Sequence, residues 1–186
     1  MAIITASFML GAHGEFKKEL SFPKTHKVGD VSLIQNGHAI RVVKRYGLDF
    51  KVYEASLYTK TASKSEEEIY KSTDPKFLKM EFVRKVDRED IIKGWKKAYK
   101  DNCIKECKVK ASKSAFSKFN KTMEDMKKGG TILITIMPDK VIVKVDGRVR
   151  KNSKIIEDPN FPTNLLAIFI GKNVSDKRLK KGLLGL

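Results

Sequence analysis

One run constrains this chain more than any other. Leu48 to Tyr58, LDFKVYEASLY, reads as a long strand that carries apolar groups on both faces. Alternation puts Lys51, Tyr53, Ala55 and Leu57 on one side, and Phe50, Val52, Glu54 and Ser56 on the other. A strand of that kind expects cover on both sides, so it belongs inside a layered structure. Around it, segments of period two and period 3.6 are mixed without a regular βαβ rhythm. The pattern predicts an α+β fold with a largely antiparallel sheet, not a doubly wound parallel one.

The flanking segments fill in that outline. Val31 to Ile34 and His38 to Val43 read as two strands separated by an Asn36-Gly37 turn, and Tyr46-Gly47 reads as the next turn. Ser65-Glu66-Glu67-Glu68 has the form of a capping box opening a short helix toward Ser72. Phe77 to Arg84 returns as a strand, and Asp87 then caps a helix with Ile91, Ile92, Trp95 and Tyr99 on its apolar side. A third helix carries Phe116, Phe119 and Met123 and is read as ending at Lys128-Gly129-Gly130. Thr131 to Met137 and Lys140 to Val145 form a hairpin around Pro138-Asp139, with another turn at Asp146-Gly147. Two helices, Asn164 to Ile170 and Asp176 to Leu184, close the chain on either side of Gly171.

Composition narrows the function classes. At 186 residues and 41% hydrophobic content the chain suits one domain with a real core. Lysine and arginine total 39 against 22 acidic residues, a net charge of +17. Such a charge favours anionic partners, but the basic residues are spread along the chain as solvated faces are, and no zinc-finger or aromatic RNA-binding signature accompanies them. Specific nucleic-acid binding is therefore not expected, while peripheral association with an anionic membrane stays open. His13, His26 and His38 show no ligand spacing, so no metal is expected, and no phosphate- or dinucleotide-binding loop announces a cofactor. Cys103 and Cys107, one helical turn apart, are read as structural, buried thiols. Ala2 to Ala12 is too short to span a bilayer. Residues 1–16 are read either as the remnant of a signal segment or as a first strand, and 17–186 as a single domain. A trimmed signal would place the protein in the periplasm or outside the cell; otherwise it is cytoplasmic.

Several motifs in order carry a resemblance. Asn36-Gly37-His38-Ala39-Ile40-Arg41, then Phe50-Lys51-Val52-Tyr53-Glu54-Ala55-Ser56-Leu57-Tyr58, resembles the signature of the chalcone isomerase-like superfamily, and of its bacterial branch in particular. Ala39 stands where that pattern has a second glycine. Met80-Glu81-Phe82-Val83-Arg84, the Trp95 helix, Val145-Asp146-Gly147, Phe169 to Lys172 and Lys181 to Gly185 continue the match, which covers residues 31 to 186. The resemblance implies an open-faced β-sandwich, a large antiparallel sheet with helices layered on one face and a ligand cleft between.

It also implies a site. Arg41 matches the cleft arginine that guides substrate in the plant enzymes, and Asn102 before Cys103 matches a ligand-contacting asparagine. Three positions depart: Tyr53 replaces a strand threonine, Trp95 a helix tyrosine, and Ile168 a late serine or threonine. Losing those hydroxyls weakens the case for catalysis. Arg41 with Tyr53 instead resembles the clamp of the noncatalytic fatty-acid-binding members, with Trp95, Ile92 and Ile168 along the tail. The expected function is noncatalytic binding of a fatty acid or similar amphipathic carboxylate by a monomer. The alternative is an isomerase, an intramolecular lyase acting on a phenolic enone.

Overall fold

A computed structural model describes residues 22–186; the segment read as a signal remnant or first strand lies outside them. Seven antiparallel strands form one curled sheet in sequence order: β1 (Thr25–Val28), β2 (Val31–Arg45), β3 (Leu48–Thr59), β4 (Lys76–Phe82), β5 (Thr131–Ile136), β6 (Lys140–Asp146) and β7 (Lys151–Glu157). Among the described residues three helices lie between strands, α1 (Glu66–Lys71), α2 (Arg88–Asp101) and α3 (Lys110–Lys121), and two follow the sheet, α4 (Phe161–Ile170) and α5 (Lys177–Leu183). This is the α+β, open-faced arrangement expected.

The main core lies between the sheet and the helices. Tyr53, Ala55 and Leu57 of β3, Ile132 and Ile134 of β5, and Val141, Val143 and Val145 of β6 meet Ile91 and Trp95 of α2 and Phe119 of α3. Helix α4 is buried along its whole length and packs against α2, α3, α5 and β6. Its FPTNLLAIFI sequence is apolar on nearly every side, which only a helix with no solvent face tolerates. The opposite face of the sheet carries a smaller cluster of Leu33, Tyr58 and Phe77. The inner half of β3 is thus covered on both sides, as its composition demanded.

Three local expectations are corrected. Asn36-Gly37 is not a turn: β2 runs unbroken through it with a bulge between Gln35 and Gly37. The Asn36 side chain donates to the carbonyls of Ser63 and Leu183 and accepts from Ser63 N and Thr59 Oγ1, so it serves as a hub for distant backbone. Helix α3 stops at Lys121, well short of Gly129-Gly130, because the chain turns back to bridge Met126 to Val86 and bond Phe82 on both sides. Cys103 and Cys107 are not buried thiols. Helix α2 has ended before them, and they form a disulfide across the exposed α2–α3 loop. The Tyr46-Gly47 turn does form, with both residues at positive φ, 52° and 77°.

Candidate functional site

The β2–β3 register places Arg41 directly opposite Tyr53, so the two side chains share one face of the sheet. Tyr53 is in turn opposite Phe82 of β4, their rings 5.4 Å apart. That face opens into a cavity of about 1000 Å³ walled by α2 and by the α4–α5 segment. Such a volume lies at the upper end of ordinary small-molecule sites. Phe50, Val52, Phe82, Ile91, Trp95, Ile168 and Phe169 supply apolar wall. Trp95 stacks on Phe119 at 5.0 Å and meets Phe169 edge-on at 6.1 Å, which fixes its ring.

Arg41 is not a bare cation. Its Nη1 lies 3.0 Å from Asp176 Oδ2, and its Nη2 donates to Ser175 Oγ at 3.2 Å. Asp176 caps α5, accepting from the backbone N–H groups of Arg178 and Leu179, and also from Val42 N at 3.2 Å. Burial alone would raise the Asp176 carboxyl, but these N–H groups and Arg41 together hold it below its ordinary value. Arg41 still has donors to spare, since a guanidinium carries five N–H groups. Burial pushes the Tyr53 phenol up to about 12, with Arg41 lowering it and Asp176 raising it by smaller amounts. Tyr53 therefore stays a neutral O–H donor near neutral pH.

The rim is charged and tilts positive. Arg45 pairs with Asp90 at 3.5 Å, and Lys97 pairs with Asp101 one turn along α2. Arg84 sits over the Phe50 ring at 5.0 Å. Among the described residues Arg84, Lys85 and Lys93 have no carboxylate partner, and Asp87 is the lining acid without a cation.

Of the five residues singled out in the sequence, Arg41, Tyr53, Trp95 and Ile168 come together around this cavity. Asn102 does not. It is buried at the end of α2, where Nδ2 donates to Ala98 O at 3.0 Å and Oδ1 accepts from Asn173 N at 2.7 Å. Its amide fastens α2 to the chain after α4, and the residue does not line the cavity. Ile92, expected along the tail, looks instead into a separate groove shared with Phe116 of α3, and Ile91 takes its place in the cavity. The 100° step per helical residue decides between the two. Sequence reading missed Asp176 as a partner of Arg41, and missed the rim cations. The position of Asp176 just before a helix was legible, but its pairing with a residue far back on β2 was not.

The sequence profile of the chalcone isomerase-like family matches residues 16–185, and the chain belongs to that family. Among solved structures, a fatty-acid binding protein of Arabidopsis thaliana superposes with a TM-score of 0.66 at 16% identity, over 88% of this chain and 90% of that one. No curated protein matches the chain in sequence at a significant level.

Proposed function

We propose that this protein binds a fatty acid or a similar amphipathic carboxylate in the cavity without transforming it. The carrying observation is the cavity itself: a chamber of about 1000 Å³ with a largely apolar wall, lined by both Arg41 and the neutral Tyr53 from opposite positions on neighbouring strands. The tail would gain about 0.8 kcal/mol for each methylene removed from water. The head would take the Tyr53 O–H and the Arg41 donors that Asp176 and Ser175 leave unused, so the clamp is a shared one. The similarity to a fatty-acid binding protein of Arabidopsis supports binding over catalysis. Trp95, held between Phe119 and Phe169, offers the cavity a fixed aromatic wall against which an apolar tail can pack. The Cys103–Cys107 disulfide supports an oxidising location, periplasmic or extracellular.

Organic extraction of the purified protein, followed by mass spectrometry, tests the reading. A long-chain carboxylate at near one equivalent is expected from the native chain, and much less from Tyr53→Phe. An empty extract, together with no uptake of added fatty acid, would contradict it.

A further inference from the structure

The β2–β3 hairpin tip is built against the usual economy of a soluble surface. Tyr46 is 99% exposed and Leu48 is 63% exposed. Tyr46 also adopts a left-handed backbone, φ 52°, a conformation normally left to glycine or asparagine at such a turn. The two-residue hairpin closed by the Arg45–Leu48 pair imposes that conformation on its first turn residue, and a tyrosine there is held fully in solvent. The tip lies at the cavity mouth, since Tyr46 and Arg45 both line it. Exposed Lys44 flanks the tip, and Arg84, Lys85 and Lys93, which have no carboxylate partner among the described residues, line the same cavity. An aromatic ring and a leucine ringed by cations combine the two contributions that peripheral membrane binding needs: apolar insertion and attraction to anionic headgroups. Tyrosine also favours the headgroup level, with its ring in the apolar zone and its hydroxyl wet.

We propose that the cavity mouth docks on an anionic lipid bilayer, with Tyr46 and Leu48 entering the interface. The benefit of docking rests on the cavity holding an amphiphile, which would then pass between bilayer and protein without crossing water. The docking surface itself is measurable without any cavity ligand.

Sedimentation with vesicles of phosphatidylcholine and phosphatidylglycerol, against phosphatidylcholine alone, is the test. The native chain is expected to sediment with the anionic vesicles, less so as salt rises. Leu48→Asp should weaken that partition by roughly tenfold or more, since it replaces an inserted apolar group with a charge of the wrong sign. Leu48 does not line the cavity, so fatty-acid uptake in vesicle-free buffer should stay native in this variant. That uptake separates a failed docking surface from a failed cavity. In Tyr46→Trp, the emission added over that of the native chain, whose Trp95 is the background, should move to shorter wavelength when anionic vesicles are added. The proposal is overturned if the native chain ignores anionic vesicles, or binds duplex DNA but not vesicles. It is equally overturned if Leu48→Asp sediments like the native chain, or if the vesicle-bound Tyr46→Trp variant shows no spectral shift.

Discussion

At Gly37 the backbone of β2 passes so close to the end of α5 that a Cβ would stand 2.1 Å from Gly182 O and 2.5 Å from Leu183 O. Backbone atoms cannot swing aside as a side-chain end does. Gly182 is equally confined, its added Cβ meeting Ala39 Cβ at 2.5 Å. Gly37→Ala should therefore destabilise by about 1–3 kcal/mol, the usual cost of overpacking, seen as a lower denaturation midpoint at unchanged slope. A native midpoint would show that the two elements are not held in this contact. The same pair of residues shows where sequence reading stops. Asn-Gly between two apolar runs has the local chemistry of a turn, and nothing nearby says otherwise. What makes it a bulge is the carbonyl of Leu183, far along the chain, which the Asn36 amide reaches at 2.9 Å. Tyr46-Gly47 has no such distant claimant among the described residues, and there the local turn chemistry decided the outcome.

Helix α5 depends on one side chain for two tasks. Asp176 caps it and also holds Arg41, so the element that closes the cavity is tied to the residue that would bind the ligand's head. Asp176→Asn keeps a capping oxygen and loses the ion pair; Asp176→Ala loses both. The alanine variant should be the less stable of the two by about 1 kcal/mol, the typical worth of an N-cap. The acid dependence has a definite sign. Because the folded carboxyl titrates below its ordinary value of 3.8, its contribution is complete above that pH and is lost as pH falls through the folded value. Urea unfolding of native and Asp176→Asn protein should thus differ most near neutrality and converge in acid. A gap that widens in acid would contradict the ion pair. Other elements differed in how well they could be read. Of the capping box read at Ser65 only one half forms: Ser65 Oγ accepts from Glu68 N within the first turn, but the reciprocal bond is diverted, since Ser65 N donates to Ser63 Oγ and the Glu68 carboxylate accepts from Ser63 Oγ. Strand β7 went unread: only Ile156 is fully buried in KNSKIIE, so this edge strand shows almost no alternation. The end of α3 was misplaced because its stop is set by the Met126–Val86 bridge and not by the glycines.

Across the whole molecule, a curled sheet with helices on one face leaves a chamber where β2, β3, α2 and the α4–α5 segment meet. The layered fold was legible because each strand and helix carries its own periodicity. The chamber was legible only in part, since its walls come from segments spread over most of the chain. Arg41 and Tyr53 could be paired through the family pattern, whereas the Asp176 partner and the rim cations appear only once the chain is folded. A cation already shared with a carboxylate, beside a phenol that stays protonated, should prefer an acid to a neutral head by a modest margin and leave much of the affinity to the apolar walls. Calorimetric titration of the native chain and Tyr53→Phe with a long-chain fatty acid, and with the alcohol of equal length, measures this most directly. The acid is expected to bind about tenfold more tightly than the alcohol, the worth of one hydrogen bond to a charged group, and Tyr53→Phe to remove most of that margin. Equal affinity for acid and alcohol in the native chain, or no binding of either, would contradict it.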